Sequence, residues 1–137
     1  MRNGYLSVIL CFFLYMAVAQ EENCGLDNLF TNEFITDWQQ DSTGQNKIRI
    51  GYYKKIFAPI QGKERSVALK GKNLKCIQHY FGTPNIVREK EKEVILTYFV
   101  SLSWIDSQNP KNFEGIVLQV IISKDQDKVS DYYFMIT

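Results

Sequence analysis

This 137-residue sequence has one histidine and a formal net charge of only +1. Each of these two features argues against a class of function. Lysine and arginine number 16 against 15 acidic residues, so no basic field exists for a phosphate backbone and we expect no nucleic-acid partner. The only histidine, His79, has no second histidine with which to complete a zinc or hydrolytic site. Gly-rich phosphate loops and serine-elbow motifs are also missing. We therefore predict a protein that is not an enzyme, with no catalytic residues, no metal and no cofactor.

Residues 1–19 have the pattern of an export signal. Arg2 is the only charged residue among the first 20, and an apolar run from Tyr5 ends in the small-x-small triplet Ala17-Val18-Ala19. This order is typical of a secretory signal peptide, and the run is shorter than the roughly 20 residues of a membrane span. We predict cleavage after Ala19, an exported protein (periplasmic or extracellular), and no integral membrane segment afterwards. An uncleaved anchor is the alternative.

Two cysteines stay in the predicted mature chain, Cys24 and Cys76. In an oxidising compartment they could pair and close a loop worth roughly 4 kcal/mol in the chain-entropy model. The alternative is a frayed Cys24 near the new N-terminus and a separate Cys76 that is a small buried apolar residue.

The first half of the mature chain has helical spacing of its apolar residues. One apolar stripe runs from Leu26 to Trp38 and stops at the turn-forming residues 41–44. A second stretch, around residues 50–57, is followed by Pro59 and Gly62, which end it.

A third helix begins after Asn73, whose side chain can accept hydrogen bonds from the first free amides of the helix. Gly82 and Pro84 end it. Its buried stripe consists of Leu74, Ile77 and Phe81.

After Pro84 the apolar period changes from that of a helix to that of a strand. One apolar face is predicted to be unbroken along Val94, Leu96, Tyr98, Val100, Leu102 and Trp104. Residues 116–122 and 132–136 repeat the alternation, residues 86–87 suit an extra edge strand, and the short links favour antiparallel neighbours. We predict one α+β domain over residues 20–137, with about three helices on one face of a three- to four-stranded antiparallel meander.

The region around the third helix resembles the signature of SmpA/BamE-like domains, which share a fold with β-lactamase inhibitor proteins. The matching positions are Gly71, Asn73, Ile77, Phe81, Gly82 and Pro84. The resemblance covers residues 71–137 and implies a small exported bacterial domain in which a meander of strands follows the helix. Leu10 precedes Cys11 where a lipoprotein signal needs a small residue, and Cys76 stands where the family usually has Gln. The resemblance therefore implies the fold rather than a role in outer-membrane assembly.

Aromatic residues supply the functional hypothesis. Phe99 lies on the mixed face of its strand, and one of Tyr132 and Tyr133 must also point away from the helices. Together they could form an exposed interaction surface, or else a second layer shielded by loops. The first hypothesis is a non-catalytic binding or scaffolding domain that docks a protein partner on its sheet face. The alternative is a small-ligand carrier with a cavity between helices and sheet.

Asp41 and Arg49 flank a glycine-containing turn. They form either a clamp for a ligand carboxylate or a salt bridge that holds the turn between two helices. The structural interpretation is favoured.

Overall fold

A computed structural model describes residues 23–58, 61 and 67–137, so the predicted signal peptide, Pro59 and Gly62 lie outside the described residues. Within these residues, three helical segments precede a four-stranded antiparallel sheet, and the α+β class is confirmed. The elements are α1 (Asn32–Gln40), α2 (Ile48–Tyr52) continuing into the π-helix π1 (Tyr53–Phe57), α3 (Leu74–Phe81), β1 (Ile86–Glu89), β2 (Glu93–Ile105), β3 (Phe113–Ser123) and β4 (Lys128–Ile136). The strands lie in the order β1-β2-β3-β4.

Helix α1 begins later than its apolar stripe predicts. The Leu26 carbonyl accepts hydrogen bonds from the amides of Leu29 and Phe30, at 2.9 and 2.8 Å, which closes a turn instead of a helix. Thr31 then caps the helix, because its Oγ1 accepts the Phe34 amide at 3.3 Å. The predicted helix start at Leu26 is therefore wrong.

Helix α3 begins after Asn73 and ends before Gly82, as the sequence predicts. Asn73 Oδ1 accepts the Cys76 amide at 2.9 Å, and Gly82 leaves the helix with a φ of 73°. A left-handed φ is strained for residues with a Cβ, so glycine suits this exit.

The main apolar cluster contains residues from both halves of the chain, and we call the sheet face that contributes to it the inner face. The Phe81 ring lies 5.7 Å from that of Tyr98, and the Phe57 ring lies 4.9 Å from that of Phe134. The buried inner-face residues of the cluster are Leu96, Tyr98, Val100, Leu118, Val120, Ile122 and Val129.

The predicted unbroken apolar face of β2 is wrong beyond Val100. The pairing with β3 shifts between Phe99 and Ser101, and again between Leu102 and Trp104. The first shift reverses the alternation of side chains, so Leu102 joins a second apolar cluster on the opposite, outer face. Trp104 lies beyond the second shift and is 52% exposed. At this distortion Gly115 has a φ of 150°, and a Cβ there would collide with the Ser101 carbonyl oxygen.

Candidate functional site

Phe99 is a core residue and not part of an exposed surface. It is 4% exposed and belongs to a second apolar cluster on the outer face, together with buried Ile86 and Val117. The Phe113 ring lies 5.0 Å from the Phe99 ring. The prediction of Phe99 as an interaction residue is corrected accordingly: the β2 distortion brings Phe113 over it, which alternation alone does not show.

Tyr132 and Tyr133 point to opposite faces, as neighbours in a strand must. Tyr132 is half-buried against the main cluster, and its hydroxyl donates to the Val67 carbonyl at 2.7 Å. Tyr133 is 41% exposed on the outer face, where its hydroxyl donates to Gln119 Oε1 at 2.8 Å. Tyr133 is thus the outward member of the pair.

The Tyr133 ring is held in place by a short polar chain. Gln119 lies directly opposite Tyr133 in the β3–β4 register, and its Nε2 donates to Oγ1 of buried Thr97 at 3.4 Å. The half-buried Ile121 and Met135 lie beside this pair on the same face. We call Gln119, Ile121, Tyr133 and Met135 the outer-face patch. It offers an oriented aromatic ring, an amide and apolar flanks, which suit protein recognition.

A disulfide joins Cys24 to Cys76, with the two Cα atoms 5.5 Å apart. A second connection between the same regions lies nearby. The Tyr80 hydroxyl accepts a hydrogen bond from the Leu26 amide and donates one to Asp27 Oδ1, both at 3.0 Å. Burial raises the pKa of Tyr80, so this hydroxyl keeps its proton at physiological pH. The residues ahead of α1 are therefore attached to α3.

Asp41 is fully buried, and its carboxylate accepts hydrogen bonds from backbone amides. Oδ1 accepts the Asn46 amide at 2.9 Å, and Oδ2 accepts the amides of Ile48 and Arg49 at 3.0 and 3.2 Å. These amides lie at the start of α2, where a helix has unpaired donors and favours a negative charge. Asp41 therefore fixes the turn between α1 and α2 and has no side available to a ligand.

Arg49 is 1% exposed and also satisfies the protein's own groups. Its Nε donates to the Trp38 carbonyl and its Nη1 to the Phe99 carbonyl, both at 2.7 Å, and the guanidinium lies 4.9 Å from the Trp38 ring centre. Burial lowers the pKa of Arg49 to about 10, which leaves it charged at neutral pH. These hydrogen bonds leave neither side chain available for the ligand clamp. The turn between the helices is held, as the structural interpretation predicts, but by Asp41 bonding backbone amides that include that of Arg49 rather than by a side-chain salt bridge.

Asn85, which is half-buried, adds to this network of hydrogen bonds and was not identified from the sequence. Its Oδ1 accepts the Phe99 amide at 2.8 Å and Arg49 Nη1 at 3.4 Å, while its Nδ2 donates to the Ser42 carbonyl at 2.6 Å. No local pattern marks this asparagine, because its partners come from three separated parts of the chain.

An open groove of about 430 Å³ lies beside α1 and π1. Its apolar lining includes Phe34 and Ile56, and its polar lining includes Glu33, Lys55 and Tyr52. Burial and a 2.7 Å hydrogen bond from the Tyr52 hydroxyl to Asp37 raise the pKa of Tyr52 to about 12. The described lining residues all precede the sheet in sequence, so this groove differs from the cavity between helices and sheet that a carrier was predicted to have.

His79 is exposed, and Cys76 is committed to the disulfide. In the described part of the chain, no three His, Cys, Asp or Glu side chains group closely enough to hold a metal ion, and no helix has the length and apolar character to cross a bilayer.

Comparison of the chain with protein-family models, with curated proteins and with solved structures gives no match. The resemblance to SmpA/BamE-like domains therefore stays a prediction.

Proposed function

We propose that this chain is an exported, non-catalytic binding domain that docks a protein partner on the outer face of its sheet. In this proposal the helical half covers the inner face, as in the SmpA/BamE-like fold that the sequence resembles. The ring contacts of Phe81 with Tyr98 and of Phe57 with Phe134 support that arrangement. The outer-face patch is then the sheet surface available to a partner.

The observation that carries this proposal is the Tyr133 ring, which is 41% exposed while its hydroxyl is hydrogen-bonded to Gln119. A tyrosine offers a large contact area with few rotatable bonds, and such residues are common energetic anchors of interfaces. Here the hydrogen bond to Gln119 already holds the hydroxyl, so binding would lose little further side-chain entropy. The polar Gln119 beside the apolar Met135 gives the mixed character of a recognition surface.

Export is supported by two independent features. Residues 1–19 have the order of a secretory signal, and the Cys24–Cys76 disulfide suits an oxidising compartment. A mass measurement of the protein recovered outside the cytoplasm would show a chain beginning at Gln20. A chain that keeps residues 1–19 there would contradict the predicted cleavage.

The docking proposal is tested by affinity capture from the exported fraction of the source cells, with wild type and a Tyr133→Ser variant as baits. We expect one partner to be captured by the wild type and lost with Tyr133→Ser. Val87→Ser is the matched control, because Val87 is also exposed but its side chain lies on the inner side of the edge strand β1. Equal capture by wild type and Tyr133→Ser would contradict the proposal.

The groove beside α1 favours small-ligand carriage as a second candidate function. Its volume of about 430 Å³ lies within the range of ligand pockets. Its apolar wall and its charged residues Glu33 and Lys55 suit a ligand with an apolar body and a polar group. Native mass spectrometry of the protein as isolated tests this, with a Leu29→Trp variant whose larger side chain fills the groove from an exposed lining position. A retained small molecule that Leu29→Trp lacks would support carriage, and the bare polypeptide mass would count against it.

A further inference from the structure

The groove beside α1 and π1 lies between two helical segments that run in opposite directions. The Arg49 side chain at the start of α2 bonds a carbonyl near the end of α1, and further along the Tyr52 hydroxyl bonds Asp37. One turn beyond that bond, Glu33 on α1 and Lys55 on π1 both line the groove. The groove therefore has a carboxylate on one wall and an ammonium group on the other.

These two charges are not neutralised within the described part of the chain. Glu33 and Lys55 are exposed, and neither forms an ion pair with the other or with any other described residue. A ligand with a single charge would bind one of these residues and be repelled by the other. A zwitterion, which carries one charge of each sign, complements both.

The buried part of the groove lining is apolar. Its buried members are Phe34, Ile56 and Val67. Apolar groups of a ligand would lose their contact with water against these side chains, which supplies binding free energy. The ligand should therefore carry apolar groups in addition to its two charges.

Uncommitted polar groups also line the groove. Thr31 Oγ1 accepts the Phe34 amide at 3.3 Å, so its hydroxyl proton remains available for donation. The side-chain amide of Asn28 can both donate and accept, and none of the described residues is its hydrogen-bond partner. A peptide bond offers one donor and one acceptor, which these two side chains can satisfy.

We propose that this groove binds a free dipeptide with apolar side chains, its ammonium group at Glu33 and its carboxylate at Lys55. This inference rests on the carriage candidate above and goes further by naming the ligand. A single amino acid has no peptide bond for Asn28 and Thr31, and a fatty acid has no cation for Glu33. An extended chain advances about 3.3–3.6 Å per residue, so the terminal charges of a dipeptide are separated, as the two charged side chains are.

The first test is isothermal titration calorimetry of the purified protein with leucyl-phenylalanine, its N-acetyl form and its C-terminal amide. Each capped form lacks one terminal charge and keeps both apolar side chains. We expect the free dipeptide to bind, and each capped form to bind at least about tenfold more weakly, because one charge-assisted hydrogen bond is lost. No binding of the free dipeptide, or equal binding of all three compounds, overturns the proposal.

The second test assigns each terminal charge to its residue. Lys55→Gln should bind the free dipeptide and its amide equally, and Glu33→Gln should bind the free dipeptide and its N-acetyl form equally. The matched control is Lys54→Gln, because Lys54 is the neighbouring exposed lysine and is not among the described lining residues. A Lys54→Gln variant that weakens binding as much as Lys55→Gln does would reveal a general attraction to positive charge and overturn the proposal.

Native mass spectrometry with fragmentation of the retained molecule separates this inference from the carriage candidate. A retained molecule that lacks an ammonium group or a carboxylate, and that is missing from Leu29→Trp, would support carriage and overturn the dipeptide proposal. A retained dipeptide that is missing from Leu29→Trp would support both. The bare polypeptide mass together with no binding of leucyl-phenylalanine would count against both.

Discussion

Arg49 Nη1 donates to the backbone carbonyl of Phe99 at 2.7 Å, across 50 residues of sequence. The same guanidinium holds the Trp38 carbonyl near the end of α1, so one buried side chain connects the helical half to the strand that becomes irregular just after Phe99. The Phe99 amide is bonded in turn to Asn85. Both backbone groups of Phe99 therefore face polar side chains at the place where β2 loses its regular register with β3.

Replacing Arg49 with Met should destabilise the fold strongly. The change leaves the buried carbonyls of Trp38 and Phe99 without these donors, and each unsatisfied group costs about 1–3 kcal/mol, so we expect a loss of about 3 kcal/mol. Urea denaturation followed by circular dichroism measures the free energy of unfolding. The matched control is Lys54→Met, since Lys54 is an exposed cation on π1 and should change stability by less than about 0.5 kcal/mol. Equal effects of the two substitutions would refute the structural role of Arg49.

Phe99→Ser should unfold or severely destabilise the protein, while Tyr133→Ser should leave its stability nearly unchanged. Removing a buried aromatic side chain typically costs about 3–5 kcal/mol, whereas Tyr133 is 41% exposed and lies outside both apolar clusters. Thermal unfolding of both variants distinguishes the core residue from the surface residue. A Phe99→Ser variant as stable as wild type would place Phe99 outside the core.

Removing the disulfide should lower the free energy of unfolding by about 4 kcal/mol. The reason is that the disulfide closes a loop with a sequence separation of 52, which restricts the conformational entropy of the unfolded chain. The double variant Cys24→Ser, Cys76→Ser measures this in chemical denaturation under oxidising conditions. Wild type treated with a reductant should reach the same stability. Two free thiols in the unreduced wild-type protein would remove the basis of this prediction.

Tyr52 should make the fold sensitive to alkaline pH. Burial and the bond to Asp37 raise its folded pKa to about 12, above the ordinary value of 10.0. A raised pKa means that the folded state holds the proton more tightly than the unfolded state. The contribution of Tyr52 to the free energy of unfolding is therefore complete below about pH 10 and is lost as the pH rises towards about 12. Tyr52→Phe has no such proton, so the stability difference between wild type and Tyr52→Phe should shrink over that range. A difference that is constant with pH would show that Tyr52 ionises alike in both states.

Short-range features were predictable because their causes lie within a few residues. Asn73 caps α3 by bonding an amide three positions ahead, and Gly82 supplies the conformation that ends the helix. The alternation after Pro84 correctly indicates strands, including the short β1. The prediction that α1 starts at Leu26 was wrong because the same apolar spacing also suits a turn that packs against Tyr80.

By itself, the sequence determined the α+β class, the capped third helix and the alternation of the strands, since capping and side-chain alternation act between near neighbours. Only the tertiary structure decided that Phe99 is buried and Tyr133 exposed, because that depends on where β2 slips against β3. It also decided the roles of Arg49 and Asn85, since a buried donor's partners are whichever carbonyls the packed chain brings within about 3 Å of it.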